Sequence, residues 1–262
     1  MLDPARPKPA GQVALVTGAT RGLGRVLAVA LARAGMDIAL VGRGSGSAAA
    51  AEIEALGRQA LSISADVSDG DSMDRAIREA IARFGRIDHL ICVAGVGSPG
   101  KPIWETNAAD FRACFDVNVL GVMQAMRAVL PTMIAASSGR VVVIGGTFGH
   151  KGVANAAIYS ASKWAVRGLV KSAALEVAPH DITVNLLSPG GVEGERLRRT
   201  FDEIGARRGV TGQEVLDQFL AGSAMGRLIE PEEIAETLLH LLGPGGRMIT
   251  GQDIVIDAGT IL

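Results

Sequence analysis

Short β-branched runs alternate with longer alanine-rich stretches along almost all of this 262-residue chain, and that alternation restricts the fold more than anything else in it. A run too short to be a helix, followed by a long helical pattern and repeated, is the sequence form of βαβ units, which build a parallel sheet covered on both faces. Strands are expected at 13–16, 38–41, 60–63, 89–92, 141–144, 183–187 and 254–256, with the clearest helices at 21–34, 71–84, 108–136, 157–178 and 231–242. Nothing between Gly11 and Leu262 looks like a linker, so residues 11–262 are expected to form one α/β domain, a doubly wound parallel sheet of about seven strands. Residues 1–10, with three prolines and no apolar run, read as a disordered tail. The stretch 190–228 breaks the alternation: it is charged, interrupted by Gly205, Gly209, Gly212 and Gly222, and long enough to be a lid or substrate loop.

The first strand runs straight into Thr17-Gly18-Ala19-Thr20-Arg21-Gly22-Leu23-Gly24 and then into a helix. Glycines at such a junction let the backbone turn tightly and approach a pyrophosphate, whose charge is favoured by the free amides and dipole of the helix N-terminus. This is the dinucleotide cradle of a Rossmann-type fold, here with the spacing Gly-x-x-x-Gly-x-Gly. A site selective for NAD wants a carboxylate at the end of the second strand for the adenosine ribose hydroxyls. That strand ends instead on Val41-Gly42-Arg43. Arg43, helped by Arg21, is suited to a 2′-phosphate, so NADP(H) is expected over NAD(H).

Tyr159 is the only tyrosine, and Lys163 follows it by four positions, which puts both on one face of the helix expected at 157–178. An ammonium beside a phenol favours the ionised form, which suits a group that exchanges a proton with a substrate oxygen. With 48% hydrophobic residues and a formal net charge of −1, the chain has no polyelectrolyte character, and nucleic acid is not an expected partner. No uninterrupted apolar run approaches the roughly 18 residues of a membrane span, so no membrane partner is expected, and the protein reads as cytoplasmic. Cys92 and Cys114 fit no metal-ligand or disulfide spacing, and His89, His150, His180 and His240 are scattered, so no metal is expected.

Together the cradle and the Tyr-x-x-x-Lys pair resemble the short-chain dehydrogenase/reductase family, with a likeness to its 3-oxoacyl-acyl-carrier-protein reductase branch that runs through residues 11–262. Asp66-Val67, Asn118 in Val117-Asn118-Val119, Pro189-Gly190, Thr250-Gly251-Gln252 and Asp257-Ala258-Gly259 extend the match. The resemblance implies an NADP(H)-dependent oxidoreductase that interconverts a ketone and a secondary alcohol by hydride transfer, acting on a small molecule. It implies Tyr159 as general acid/base, Lys163 as its electrostatic partner and holder of the nicotinamide ribose, and Asn118 at a helix irregularity in the proton relay. Asp66 and Val67 would meet adenine, Ala94 and Gly95 the cofactor backbone, and Val192 the carboxamide through its main chain, beyond Pro189 and Gly190. Assembly as a homotetramer through the helices at 108–136 and 157–178 is also implied.

Three departures stand out. Thirteen residues before Tyr159, where the family pattern places a catalytic serine, stands Gly146 in Ile144-Gly145-Gly146-Thr147. Thr147 could supply the missing hydroxyl only if the chain has already left the strand, since a one-residue shift along a strand turns a side chain to the opposite face. On this reading Gly146→Ser should raise turnover of small ketones or block a bulky native substrate. Cys92-Val93-Ala94-Gly95 lacks the two asparagines common there, which should weaken polar ties in the central sheet. Gly194 replaces a threonine that often binds the carboxamide. The Gly146 departure supports an alternative, a nucleotide-binding relative with weak catalysis that serves as sensor or scaffold. Arginines 196, 198, 199, 207 and 208 could attract an anionic substrate, but nearby carboxylates offset them, and a solvated amphipathic lid helix is the preferred reading.

Overall fold

The computed structural model describes residues 11–262; the tail expected at 1–10 lies outside them. Seven strands, β1 (Val13–Thr17), β2 (Asp37–Gly42), β3 (Ala60–Ser64), β4 (His89–Cys92), β5 (Gly139–Ile144), β6 (Ile182–Pro189) and β7 (Asp253–Ile256), form one sheet in the order β3-β2-β1-β4-β5-β6-β7. All neighbours are parallel. Because the order reverses between β1 and β4, the loops leaving these two strands diverge and open a crevice at the carboxyl edge of the sheet.

Two apolar layers clamp the sheet. Alternate residues of β1 point to opposite layers: Leu15 joins the cluster under α3 (Gly70–Phe84), α5 (Gly121–Ala136) and α6 (Ala157–Val177). Ala14 and Val16 join the cluster under α1 (Gly22–Arg33), α2 (Ser47–Ala55) and α9 (Pro231–Leu242). Strands buried on both faces explain why they read as nearly continuous apolar runs. His89 is one of the few polar groups in this sandwich, and burial pushes its imidazole down to about 4, so it sits neutral in the core.

Three elements differ from expectation. The alanine run after Ser47 forms α2, which buries Ala49 and Ile53. The single helix expected at 108–136 is divided: α4 (Ala108–Phe115) passes through a π-helical segment, Asp116–Leu120, before α5 begins. By length and hydropathy this continuous stretch, Ala108–Ala136, could cross a membrane. It nevertheless carries Asp110, Arg112, Asp116 and Arg127, and Val122, Ala125, Val129 and Met133 anchor it in the core. In the lid region, two helices replace the one expected, α7 (Glu195–Arg208) and α8 (Gly212–Ala221). Gly205 lies inside α7 because a Cβ there would stand 2.7 Å from the Val210 carbonyl oxygen.

Candidate active site

The turn after β1 is shaped by contact between backbones. A Cβ on Gly18 would lie 2.8 Å from Cα and N of Ala94, and one on Gly24 would lie 2.1 Å from the Gly18 carbonyl oxygen. Neither position has room for a side chain. Gly18 and Gly22 also have φ of +69° and +54°, where glycine is favoured. Arg21 precedes α1 without a side-chain cap, and the first turn has no acidic residue, so its amides are free to meet an anion. The cradle therefore fits a dinucleotide pyrophosphate, with the Gly22, Leu23 and Gly24 end of the helix facing it.

Thr20 fills the space above Gly42, where a Cβ would come within 3.0 Å of its methyl group. Arg43 follows Gly42 and is exposed, its Nη1 lying 3.9 Å from Asp66 Oδ2. Asp66 accepts from the Ser68 amide and hydroxyl at 2.9 and 2.7 Å. Those two bonds, and then the Arg43 charge, hold its carboxyl below the usual range. Val67 turns its side chain into the core against Gly121, so only its main chain is available for a cofactor.

The polar tie at the end of β4, expected to be weak, is supplied from the next strand. Thr17 Oγ1 accepts from the Val93 and Ala94 amides at 3.2 and 3.3 Å and joins β1 to β4 beneath the crevice. Cys92 contributes only bulk, its thiol pushed up to about 12 by burial.

Asn118 lies within the π segment, as the irregularity expected there requires. Such bulges redirect a side chain without ending the helix. Its Oδ1 accepts from the Val96 amide at 2.8 Å, and its Nδ2 lies 3.0 Å from the Val96 carbonyl and 3.1 Å from Ser162 Oγ. Ser162 in turn donates to the Tyr159 carbonyl at 2.7 Å. Asn118 therefore joins the loop after β4 to the helix that carries Tyr159 and Lys163. Ser162 was missed in the sequence, although it sits beside Lys163 in the motif.

Lys163 is buried and its Nζ donates to the Ile144 carbonyl at 3.2 Å, 5.6 Å from the centre of the Tyr159 ring. Phe148 meets that ring edge-on at 5.3 Å. Strand β5 ends at Ile144, and Gly146 turns the chain with φ +152° and ψ 156° into a 3-10 turn, Thr147–Gly149. The condition for Thr147 to escape the strand alternation is met, and Thr147 is buried within this turn.

Beyond β6, the Gly190 amide bonds to the Ile256 carbonyl at 2.9 Å, and, past a bend at Gly191, Val192 forms a parallel bridge with Ile229, which ties 190–192 to the neighbouring segments of the chain. Gly194 follows at φ +150° and ψ 167°. In α7, Arg198 and Arg199 pair with Glu193 and Glu195 on the surface, as a solvated lid would have it. Arg196 instead reaches across the crevice, its Nη1 3.3 Å from the Gly95 carbonyl. The structure thus brings the candidate residues to one edge of the sheet, and Arg196 joins them unannounced by any motif.

Comparison with known proteins agrees with this arrangement. Residues 12–204 match the family model described as short chain dehydrogenase. A short-chain dehydrogenase/reductase of Armillaria gallica is 36% identical over 96% of both chains. A 3-oxoacyl-[acyl-carrier-protein] reductase of Synechocystis sp. is 34% identical over 96% of this chain and 97% of its own. Among solved structures, NAD+-bound xylitol dehydrogenase superposes with a TM-score of 0.91 at 31% identity, covering 95% of this chain and 99% of that one. A variant of actinorhodin polyketide ketoreductase with NADPH gives 0.91 at 31%, covering 97% and 98%. One parallel sheet with its crevice at the β1–β4 switch, a glycine-built cradle beside it and a tyrosine–lysine helix across from it thus agree with sequence likeness over nearly the whole chain: the protein belongs to the short-chain dehydrogenase/reductase family of oxidoreductases.

Proposed function

We propose that the protein is an NADP(H)-dependent oxidoreductase that interconverts a ketone and a secondary alcohol, with Tyr159 as the general acid/base. The observation that carries this reading is the anchoring of Lys163: its Nζ donates to the Ile144 carbonyl at the end of β5, beside the Tyr159 ring. Bound nicotinamide supplies or accepts a hydride. The Tyr159 hydroxyl gives a proton to the substrate oxygen or takes one from it, and the buried Lys163 ammonium stabilises negative charge on the phenol oxygen. Thr147 offers a second donor to that oxygen from the turn that replaces a serine. Asn118 acts in the proton relay behind Lys163. Ala94, Gly95, Pro189, Gly190 and Val192 line the cofactor with main chain.

The preference for NADP(H) rests on Arg43 and Arg21, since no carboxylate ends β2. Asp66 stands one strand further, and Arg43 leans towards it, so a 2′-phosphate would compete with Asp66 for that guanidinium. We expect at least tenfold tighter binding of NADPH than NADH, about 1.4 kcal/mol, in a fluorescence titration. Arg43→Asp should reverse the order; equal affinities in the parent protein would refute this choice. NADPH oxidation against cyclic ketones, diketones and β-ketoacyl thioesters tests the activity itself. Tight NADPH binding with no turnover across that panel would favour the sensor or scaffold alternative, against which the buried, anchored Lys163 argues.

Assembly as a homotetramer is supported by apolar surface left outside α4, α5 and α6. A hollow of about 340 Å³ lined by Phe115, Asp116, Val119, Leu120, Met123 and Leu169 lies there, apolar but for Asp116, and it includes no candidate catalytic residue. Ala157, Ala161, Ala165 and Gly168 line one side of α6 and permit close helix approach, and the exposed Trp164 beside them adds apolar surface. Light scattering should report a tetramer; a stable monomer at micromolar concentration would refute it.

A further inference from the structure

Behind the Gly146 turn lies a buried charged cluster that the proposed chemistry does not use. Asp253 opens β7 with its side chain 7% exposed. Its Oδ1 accepts from the Ser188 hydroxyl at 2.6 Å, while Arg167 Nε and His150 Nε2 approach Oδ2 to 2.8 and 3.0 Å. Those two N–H groups are not aligned as hydrogen bonds, and the Arg167 contact acts through charge.

The outward links of this cluster end on one short segment. Ser188 Oγ accepts from the Gly146 amide at 3.3 Å, Arg167 Nη1 donates to the Gly149 carbonyl at 2.6 Å, and His150 is the residue that follows. The fit is close: a Cβ on Gly145 would stand 2.8 Å from Ser188 Oγ, and one on Gly149 3.1 Å from the Lys163 carbonyl. Tyr159, Lys163 and Arg167 stand at i, i+4 and i+8 on α6; Tyr159 and Arg167 engage this segment through Phe148 and Gly149, and Lys163 holds Ile144, the strand end just before it.

Stability alone is a weak reason for such a cluster, because replacing a buried ion pair by apolar residues of similar volume is often neutral or stabilising. Geometric definition is the better reason. We propose that Asp253, acting through Ser188, Arg167 and His150, is a positioning residue: it grips residues 145–150 against α6 and so fixes where Thr147 and Phe148 stand relative to Tyr159 and Lys163. The proposal rests on the reading of Tyr159 as the acid/base.

The test compares Asp253→Asn and Ser188→Ala with Asp37→Asn in the full chain. Asp37 has a similarly buried side chain, 10% exposed, bonded to Arg58 at 2.7 Å and to the Gln59 amide, but it starts β2, on the far side of the sheet from β7. Amide hydrogen exchange over residues 145–150, thermal stability, and kcat and KM for NADPH and a ketone are measured for each. Asp253→Asn and Ser188→Ala should speed exchange in 145–150 at least tenfold and lower kcat at least tenfold, with KM for NADPH within twofold. Arg167→Lys, which keeps the charge, should retain more kcat than Arg167→Met. Asp37→Asn should lose stability with kcat and exchange at 145–150 unchanged. Ser188→Ala decides the question if Asp253→Asn fails to fold. Unchanged exchange overturns the grip, and faster exchange with unchanged kcat overturns its part in the reaction. If the parent protein reduces no carbonyl, the catalytic reading falls and the positioning role with it, while exchange still decides whether Asp253 holds the turn.

Discussion

Two glycines of the β1 turn, Gly18 and Gly24, and two across the crevice from it, Gly146 and Gly194, are present for different reasons. At Gly18 and Gly24 the missing side chain is a matter of space, because backbone stands where a Cβ would go. At Gly146 and Gly194 there is room: a Cβ on Gly146 would meet only the Pro189 carbonyl at 3.7 Å, and one on Gly194 would meet nothing within 4 Å. What sets these two apart is the backbone, at φ +152° and +150° with extended ψ, a region open essentially to glycine alone. They are also the two positions where family resemblance expects serine and threonine. The chain at both places has taken a path that a serine or threonine would resist. On the cradle side contact between backbones excludes a side chain, and across the crevice the backbone angles do.

The largest effect should come from the side governed by space. Gly24→Ala places a methyl group against the Gly18 carbonyl and should cost at least a hundredfold in NADPH affinity, about 2.7 kcal/mol, or prevent folding. A titration giving parental affinity would show that the cradle does not bind the cofactor as described. Next comes the side governed by conformation. Gly146→Ser should be destabilised by about 1–3 kcal/mol from backbone strain and should not raise turnover. Sequence alone leads to the opposite expectation, a gain for small ketones, because it shows the vacancy but not the dihedral angles. A stable, faster Gly146→Ser enzyme would erase the distinction between the two glycine sets. Gly194→Ala carries similar strain in a loop with open surroundings that can relax, so its loss of stability should be the smaller, read in the same thermal melts. A loss exceeding that of Gly146→Ser would reverse the ranking.

Much of this was visible in the chain itself. The inner strands announce themselves because parallel strands buried on both faces are nearly continuous apolar runs, the partly exposed edge strands β3 and β7 by their place in the strand–helix alternation, and the cradle and the Tyr159–Lys163 pair because their chemistry needs fixed local spacing. What escaped has physical reasons. Helix α2 is a run of alanines with little contrast between its faces, placed after Gly44-Ser45-Gly46, which reads as a loop. The π segment adds a residue to one turn without disturbing the apolar pattern around it, so only the family resemblance at Asn118 announced it. The start of α8 could have been found, since Thr211 and Glu214 form a reciprocal capping box, a signal readable at that spacing. The Ser188–Asp253 contact could not, because 65 residues separate its members and neither belongs to a local motif.

The central claim is that the Gly145–Gly146 turn delivers a hydroxyl from Thr147 where a serine is expected. Steady-state turnover of Thr147→Val beside Tyr159→Phe tests it most directly, because valine removes the hydroxyl at nearly constant volume. The account predicts that Tyr159→Phe is inactive and that Thr147→Val loses roughly ten- to a thousandfold in kcat, with NADPH affinity unchanged. Full activity in Thr147→Val alongside an inactive Tyr159→Phe would contradict it and assign the second donor to water or to the substrate itself.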